Sequence, residues 1–256
     1  MDIPFSLQGR TALIAGASSG FGARFAQLFA AAGANVVLGA RRTDRTDALA
    51  KEIGDAGGKA LAVPLDVTDE ASIIAAYDAA EERFGTVDSI VANAGVAASG
   101  RSTEVAADRL QMLLDTNFKG VYLVAREGAK RLIASGSREK ENGRIIIIGS
   151  ITSRLTGEGD SAYSASKAGV AHLGRTFARE WVRMGVNVNI IHPGYIPTEI
   201  QGDWYQTPGG QAQIAAFHRR RLQAIESLDP MMLYLASDAS RMVTGSEFVI
   251  DDGQSL

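Results

Sequence analysis

Cysteine is absent from this sequence of 256 residues, so disulfides, thiolate nucleophiles and cysteine-ligated metal sites are excluded. Redox chemistry would therefore require a bound cofactor. Acidic residues outnumber basic ones by 29 to 26, and the resulting net charge of -3 offers no basic field for a nucleic-acid backbone. The three histidines, His172, His192 and His218, are isolated, so we expect structural roles and no metal site. These absences predict a small-molecule partner and no nucleic acid.

Long apolar runs are also missing. The longest uncharged stretches contain glycine and asparagine, and they fall short of the roughly 20 apolar residues that a membrane span needs. The first ten residues carry Asp2 and Pro4 and lack a basic region followed by an apolar stretch, so we expect no signal peptide. The sequence thus predicts a cytoplasmic protein that does not bind membranes.

Short aliphatic runs alternate with longer amphipathic stretches along the whole chain, which is typical of βαβ units in a parallel sheet. No linker rich in proline or serine and no internal repeat interrupts the alternation. The sequence therefore predicts a single α/β domain over residues 1–256, a Rossmann-type doubly wound parallel sheet with helices on both faces. The predicted strands are Thr11–Ala15, Asn35–Gly39, Lys59–Pro64, Val87–Ala92, Arg144–Gly149, Val186–His192 and Glu247–Ile250.

Two segments depart from this regularity. Ser135–Gly143 is polar and rich in turn residues, which predicts a solvated loop without a chemical role. Residues 199–221 combine glycine and proline with Trp204, Tyr205 and Phe217. This composition favours a mobile substrate lid over ordinary core packing, with the three aromatic side chains closing over an aryl or alkyl substrate.

A glycine-rich turn, Gly16-Ala17-Ser18-Ser19-Gly20-Phe21-Gly22, follows the first predicted strand and leads into a helix that begins near Gly20. Glycines allow the backbone to approach a pyrophosphate, and a helix N-terminus attracts negative charge. A close corner between strand and helix would need similar glycines. Its position after the first strand favours a dinucleotide site, formed by Gly16, Ser18, Ser19, Gly20, Phe21 and Gly22.

The end of the second strand bears on the choice of dinucleotide. An acid about 20 residues after the glycine turn would bind the ribose of NAD, but this strand ends in Arg41-Arg42. Two guanidinium groups suit the 2′-phosphate of NADP. The alternatives are that the arginines are only solvated, or that Asp44 reaches a ribose. We predict NADP(H), held in part by Arg41 and Arg42.

Further cofactor contacts are expected at the ends of the third and fourth strands. Asp66-Val67 can bind the adenine, although Asp66 or Asp69 can equally cap the next helix. The small residues Asn93-Ala94-Gly95 would let the cofactor ribose lie against backbone.

Tyr163 and Lys167 are four residues apart at the start of a predicted helix that runs to about Met184, so they share one helix face. A free tyrosine has a pKa of about 10, and a nearby ammonium favours the phenolate.

Ser150, at a strand end, can hold a substrate carbonyl oxygen, with Thr152 and Ser153 as weaker candidates. Asn117, predicted to be mid-helix, either positions Lys167 through water or satisfies a backbone carbonyl.

Taken together, these motifs resemble the short-chain dehydrogenase/reductase family in order and spacing over essentially the whole chain. The resemblance implies the strand order 3-2-1-4-5-6-7, catalysis by Asn117, Ser150, Tyr163 and Lys167, and a homotetramer. It also implies that Tyr163 and Lys167 contact the cofactor and that Arg41 marks a preference for NADP. The segment after the sixth strand would hold the nicotinamide carboxamide, through Pro193, Gly194, the backbone of Ile196 and the hydroxyl of Thr198.

Three positions depart from the family pattern. Ala15 replaces a threonine, Ala92 replaces the first asparagine of NNAG, and Asp251-Asp252-Gly253 stands where DGG is common. None of these changes removes a catalytic group. The stretch from Arg221 to Pro230 also lacks the family's RxGxPEE-like sequence, so the local lid geometry is not fixed by the resemblance.

The leading hypothesis is hydride transfer between NADP(H) and a ketone or secondary alcohol, as in a carbonyl reductase or alcohol dehydrogenase. A 3-oxoacyl thioester reductase is the alternative, in which the basic run His218–Arg221 would meet a carrier phosphate. A non-catalytic NADP(H) sensor is a third hypothesis. Phe177 and Trp181 lie on a helix that is apolar on more than one face, which favours a subunit interface.

Overall fold

A seven-stranded parallel sheet forms the centre of the computed structural model, which describes residues 5–97, 100–157 and 159–256. The strand order is β3-β2-β1-β4-β5-β6-β7, and each strand pairs with its neighbours in parallel. This confirms the predicted single Rossmann-type domain. The strands are β1 Thr11–Ala15, β2 Asn35–Ala40, β3 Lys59–Pro64, β4 Ser89–Ala92, β5 Gly143–Ile148, β6 Val186–Pro193 and β7 Glu247–Ile250.

Strand limits agree with the predictions within one residue except at β4, which begins at Ser89 rather than Val87. The preceding Asp88 instead uses its side chain as an acceptor for Arg10, 3.2 Å away. The helices are α1 Gly20–Ala31, α2 Thr43–Asp55, α3 Glu70–Phe84, α4 Ala107–Leu114, α5 Gly120–Ala134, α6 Ser137–Lys140, α7 Ser161–Trp181, α8 Pro208–Ala216 and α9 Asp229–Ala236.

Both faces of the sheet are covered by helices, because successive residues of a strand point to opposite faces. In β1, Leu13 belongs to the apolar cluster under α3, α5 and α7, whereas Ile14 belongs to the cluster under α1, α2 and α9. Continuous burial of β1 explains why its sequence after Thr11 is uniformly apolar rather than alternating.

The prediction of a solvated loop over Ser135–Gly143 is wrong in part, because this segment contains the four-residue helix α6. Ser137 is fully buried there, and its hydroxyl donates to the carbonyl oxygen of Met184 at 2.6 Å. A side chain at Gly185 would come within 1.9 Å of the Ser137 carbonyl oxygen, so this segment packs tightly against the turn that precedes β6. Composition alone did not reveal that contact, since it joins residues far apart in sequence.

Within the described ranges, no helix is both long enough and apolar enough to cross a lipid bilayer.

Candidate active site

A cavity of 1110 Å³ lies at the carboxyl ends of the strands. The turn after β1 and the ends of β2, β4, β5 and β6 all contribute to its wall, through Gly16, Ala40, Asn93, Gly149 and Pro193. This edge is where doubly wound sheets bind ligands, because the loops diverge there on either side of the central strands. The predicted catalytic and cofactor residues can therefore be compared with the wall of a single cavity.

Close backbone packing shapes the glycine turn. Gly16 has a φ of +82°, and a Cβ added to it would lie 2.8 Å from the Cα of Ala94. A Cβ at Gly22 would lie 2.1 Å from the Gly16 carbonyl oxygen, so Gly22 fits under the turn and does not line the cavity. Asn93 donates through Nδ2 to that same oxygen at 3.1 Å, which fixes the turn against β4.

The residues present fit a dinucleotide phosphate. Gly20 and Phe21 begin α1 and line the cavity, together with Ser18 and Ser19. Ser19 makes no side-chain cap for the helix, because its hydroxyl accepts a hydrogen bond from Arg42 at 2.8 Å. A helix N-terminus without a side-chain cap beside a glycine turn is suited to an anion.

Arg41 and Arg42 both line the same end of the cavity, but their surroundings differ. Arg42 donates to Ser18 and forms an ion pair with Glu199 at 3.0 Å. Arg45 reaches the other oxygen of Glu199 at 2.6 Å. Hydrogen bonds from Arg42 and Arg45 lower the pKa of Glu199. Arg42 is thus already bound to the first residue of the predicted lid, a contact that the sequence did not reveal.

Asp66 and Val67 also line the cavity. Asp66 accepts hydrogen bonds from the backbone and hydroxyl of Thr68, at 2.9 and 2.8 Å, while Asp69 caps α3. Burial raises the pKa of Asp66, but the hydrogen bonds from Thr68 and the positive charge of Arg41 lower it, and the net pKa is below its usual value. Two acids were predicted as possible cofactor contacts. Asp66 lies at the cavity, whereas Asp44 belongs to the first turn of α2 and is not part of the cavity wall.

Tyr163 and Ser150 line the opposite end of the cavity. Lys167 lies behind the tyrosine, with its Nζ 5.6 Å from the centre of the Tyr163 ring, and donates to the Ile148 carbonyl oxygen at 2.8 Å. Burial lowers the pKa of Lys167 to about 8 and raises that of Tyr163 to about 12, an increase that a hydrogen bond with Ser150 opposes. The structure thus brings together the phenol, ammonium and hydroxyl that the sequence singled out.

Ser150 is held from two sides. Its Oγ accepts hydrogen bonds from the backbone and the hydroxyl of Thr152, at 3.1 and 2.9 Å. Beneath it, Nδ1 of the fully buried His192 lies 2.9 Å from the Ser150 carbonyl oxygen, while Nε2 lies 3.1 Å from Glu247. Burial lowers the pKa of His192. His192 therefore has a structural place directly behind a candidate catalytic residue.

Asn117 is in a π-helical turn, Asp115–Lys119, between α4 and α5 rather than in a regular helix. Its amide exchanges hydrogen bonds with the backbone of Val96, as acceptor at 2.8 Å and donor at 2.9 Å. Asn117 is fully buried and does not line the cavity. These contacts show Asn117 hydrogen-bonding the backbone of Val96, which is one of the two roles predicted for it; the other was to position Lys167 through water.

The segment after β6 lies beside the glycine turn. Pro193, Gly194 and Thr198 line the cavity, whereas the side chain of Ile196 points into the core and is 1% exposed. Only the backbone of Ile196 remains available for a cofactor, as the resemblance implied. The Thr198 hydroxyl donates to Gln201 at 2.7 Å.

The predicted lid consists of two 3₁₀ turns, Glu199–Gln201 and Trp204–Gln206, followed by α8. Trp204 and Tyr205 line the cavity. Phe217 does not: it is buried and stacks on the ring of Tyr195 with centroids 5.4 Å apart. The expectation that Phe217 faces a substrate is therefore corrected, since its ring supports a wall residue from behind.

The basic run considered for a carrier phosphate is engaged elsewhere. Arg219 and Arg221 pair with Asp252, at 3.1 and 2.6 Å, and His218 contacts the carbonyl oxygen of Leu256. Asp252 lies in the Asp251-Asp252-Gly253 segment that departs from the family pattern, so this unusual acid acquires a structural partner.

Several wall residues were not selected from the sequence. They include Asp160, Tyr195, Ile200 and Gln213. A signal for Asp160 was available, since it directly precedes the helix that carries Tyr163. Gln213 and Ile200 had no comparable signal, because only the folding of the lid brings them to the cavity.

Comparison with known proteins agrees with this geometry. The model of the family described as short chain dehydrogenase matches residues 10–209. The chain is 35% identical to the oxidoreductase UcpA of Salmonella typhimurium, covering 98% of this chain and 96% of the relative. It is 32% identical to D-threitol dehydrogenase of Mycolicibacterium smegmatis, with 100% and 96% covered.

A solved structure extends the likeness to three dimensions. A gluconate 5-dehydrogenase from Burkholderia cenocepacia, in complex with NADP and tartrate, has a TM-score of 0.92 and 31% identity, with 98% of this chain and 97% of that chain covered. Fold, cavity and similarity thus lead to one conclusion: the chain is an oxidoreductase that belongs to the short chain dehydrogenase family.

Proposed function

We propose that this protein catalyses reversible NADP(H)-dependent interconversion of a ketone and a secondary alcohol, with Tyr163 as the general acid and base. The observation that carries the proposal is the buried Lys167 ammonium behind the Tyr163 ring, at the end of the cavity that Ser150 also lines. Support also comes from the family, whose members include the D-threitol dehydrogenase named above.

Tyr163 would donate its phenolic proton to the carbonyl oxygen during reduction and accept a proton from the alcohol during oxidation. Burial disfavours the phenolate, and the positive charge of Lys167, 5.6 Å from the centre of the ring, would stabilise it. Lys167 uses one of its three N–H donors on Ile148, which leaves two for ribose hydroxyls of the cofactor. The proposed role of Lys167 is therefore both electrostatic and positional.

Ser150 would hold the substrate oxygen. Its Oγ accepts from both donors of Thr152, so its own O–H, which lies within hydrogen-bond reach of Tyr163, would donate to a carbonyl oxygen bound between the two residues. Asn117 would act at a distance, by fixing the Val96 backbone beside the cavity. The chemistry that NADPH supplies when bound is a hydride for the carbonyl carbon.

For the cofactor itself, we propose binding of the pyrophosphate by the glycine turn and of the 2′-phosphate by Arg41 and Arg42. The gluconate 5-dehydrogenase structure in complex with NADP supports this choice. The ion pairs of Arg219 and Arg221 with Asp252 give no support to an acyl-carrier site, so we favour a small ketone over an acyl thioester.

The substitution Tyr163→Phe tests the assignment. We expect kcat to fall by about 10³-fold, because general acid–base catalysis is lost, while the Kd for NADPH measured by fluorescence titration stays within twofold. Tyr234→Phe is the matched control, since Tyr234 lies on α9 and outside the cavity wall. Appreciable turnover by Tyr163→Phe would refute the role of this residue.

A further inference from the structure

The part of the cavity beyond Tyr163 is lined by hydroxyl, carboxylate and amide groups rather than by aliphatic side chains alone. Six side chains supply this polarity: Thr152, Asp160, Tyr195, Trp204, Tyr205 and Gln213. We call these six residues the polar pocket. Its chemistry limits the substrates that the proposed reaction can accept.

Asp160 gives the polar pocket a negative charge. It raises the pKa of both Tyr163 and Tyr195, after the larger effect of burial, so its carboxylate lies within electrostatic reach of both phenols. Its Oδ1 is buried without a hydrogen-bond partner, and Asp160 makes no ion pair among the described residues. A ligand group at this point must therefore be a donor.

Among the described residues Asp160 forms no ion pair, and the buried ammonium of Lys167 lies behind the Tyr163 ring rather than in the cavity wall. The arginines of the cavity wall, Arg41 and Arg42, belong to the opposite end, where Arg42 contacts Ser18, Ser19 and Glu199. The positions outside the description, residues 1–4, 98, 99 and 158, carry no lysine or arginine in the sequence. A substrate carboxylate in the polar pocket would meet the like charge of Asp160, with no lysine or arginine side chain in the described wall beside it to pair with.

Tyr205 adds an unsatisfied hydroxyl. Its side chain is 8% exposed, it lines the cavity, and its Oη has no hydrogen-bond partner within the described part of the chain. Burial, followed by the nearby phenols Tyr195 and Tyr163, raises the pKa of Tyr205, so the three phenols face a shared space as neutral groups. A purely apolar substrate would leave this buried hydroxyl unpaired, which is unfavourable.

Trp204 supplies a flat surface next to these groups. Its Nε1 donates to Gln213 Oε1 at 2.8 Å, and a Cβ on Gly209 would lie 2.8 Å from the ring, so the indole is fixed in place. An indole face packs well against the C–H bonds of a carbon chain whose hydroxyls point sideways.

From these contacts we propose that the polar pocket selects an uncharged polyhydroxylated substrate, an alditol on oxidation and the corresponding ketose on reduction. A substrate hydroxyl can donate to Asp160 and also accept from Tyr205, which neither an alkyl group nor a carboxylate can do. This inference rests on the proposed ketone–alcohol reaction and adds its substrate class.

Substrate comparison is the first test. Initial rates with NADP⁺ would be measured for four- and five-carbon alditols, for aldonates of the same chain length and for 2-butanol. We expect kcat/KM for the best alditol to exceed that for 2-butanol by about 100-fold and that for the aldonate by more, because each polar mismatch leaves a buried group unpaired. An aldonate or 2-butanol used as well as the alditols would overturn the proposal.

The outcomes separate the two levels of inference. Turnover of 2-butanol alone would overturn the substrate class and leave the proposed reaction standing. Absence of turnover with every compound, while NADPH still binds, would overturn both.

Two variants locate the selectivity. Asp160→Asn should raise the ratio of kcat/KM for aldonate over alditol by about tenfold, since the like charge is removed. Ratios within one variant cancel any effect on the pKa of Tyr163. Tyr205→Phe should lower kcat/KM for the alditol by about tenfold, mainly through KM, with little change for 2-butanol.

Tyr234→Phe serves again as the control, and the Kd for NADPH shows that each variant is folded. Unchanged substrate ratios in both folded variants would refute the polar pocket as the determinant of specificity.

Discussion

The two ends of the cavity hold their charged groups in different ways. At the reaction end, Lys167 is 3% exposed and burial lowers its pKa to about 8, whereas Arg42, Arg45 and Glu199 at the cofactor end have side chains that are 43 to 54% exposed. A buried charge interacts strongly with its neighbours, while an exposed pair is screened by water and salt. We therefore expect substitutions at the reaction end to change chemistry and those at the cofactor end to change affinity.

The largest effect is expected for Lys167→Met, which keeps an unbranched apolar side chain but removes the ammonium and its charge. Loss of the ammonium should lower kcat by about 10³-fold, because the phenolate of Tyr163 loses its stabilising charge. The pKa of Tyr163 should rise, so residual alcohol oxidation, which requires the phenolate, should shift to higher pH. Rates across a pH series would measure both effects.

Lys51→Met is the matched control, since Lys51 is exposed on α2 and pairs with Asp55. If Lys167→Met retained the native pH profile, the buried ammonium would not control the phenol, and the contrast between the two ends would fail.

A smaller effect, confined to binding, is expected for Arg41→Ala. We expect the Kd for NADPH to rise by about 10- to 30-fold through loss of a charge-assisted contact with the 2′-phosphate, and the Kd for NADH to change little. Higher salt should weaken NADPH binding to the native protein, in keeping with the exposure of this end. Fluorescence titration with both cofactors would provide these values.

Arg183→Ala is its control, because Arg183 is exposed in the turn before β6 and is not part of the cavity wall. Equal losses for NADPH and NADH in Arg41→Ala would contradict a 2′-phosphate contact.

The smallest effect is expected for Glu199→Gln. Removing this charge releases Arg42 and Arg45 from their ion pairs, so affinity for NADPH at low salt should increase by about two- to threefold, and the gain should disappear at high salt. Paired titrations at two salt concentrations would detect it. A fall in NADPH affinity would instead show that Glu199 assists the arginines by orienting them.

Arg42 shows how far the cofactor end could be predicted. The sequence placed two guanidinium groups after β2, because the strand pattern and its end are local features. The partner of Arg42, however, is Glu199, which is 157 residues away along the chain. A local sequence pattern cannot reveal a contact across that separation. Only the folded chain shows that Glu199 would compete with a cofactor phosphate for Arg42.

The reaction end divides in the same way. Tyr163 and Lys167 share a helix face by helical spacing, and α7 places them as that spacing predicts. Asn117 was also selected from the sequence, but its π-helical turn and its hydrogen bonds to Val96 depend on how α4 and α5 meet. Phe217 was misplaced for a similar reason, since aromatic composition does not show which face of a segment is buried.

By itself, the sequence determined the alternation of strands and helices, the glycine turn and the spacing of the tyrosine and lysine, because each depends on residues that are near neighbours in the chain. Only the tertiary structure decided which side chains surround the reacting groups. Asp160, Tyr195 and Tyr205 come from three different segments and meet because the sheet edge and the lid enclose one cavity. The unpaired polar atoms of Asp160 and Tyr205 are products of burial, and burial is a property of the whole fold.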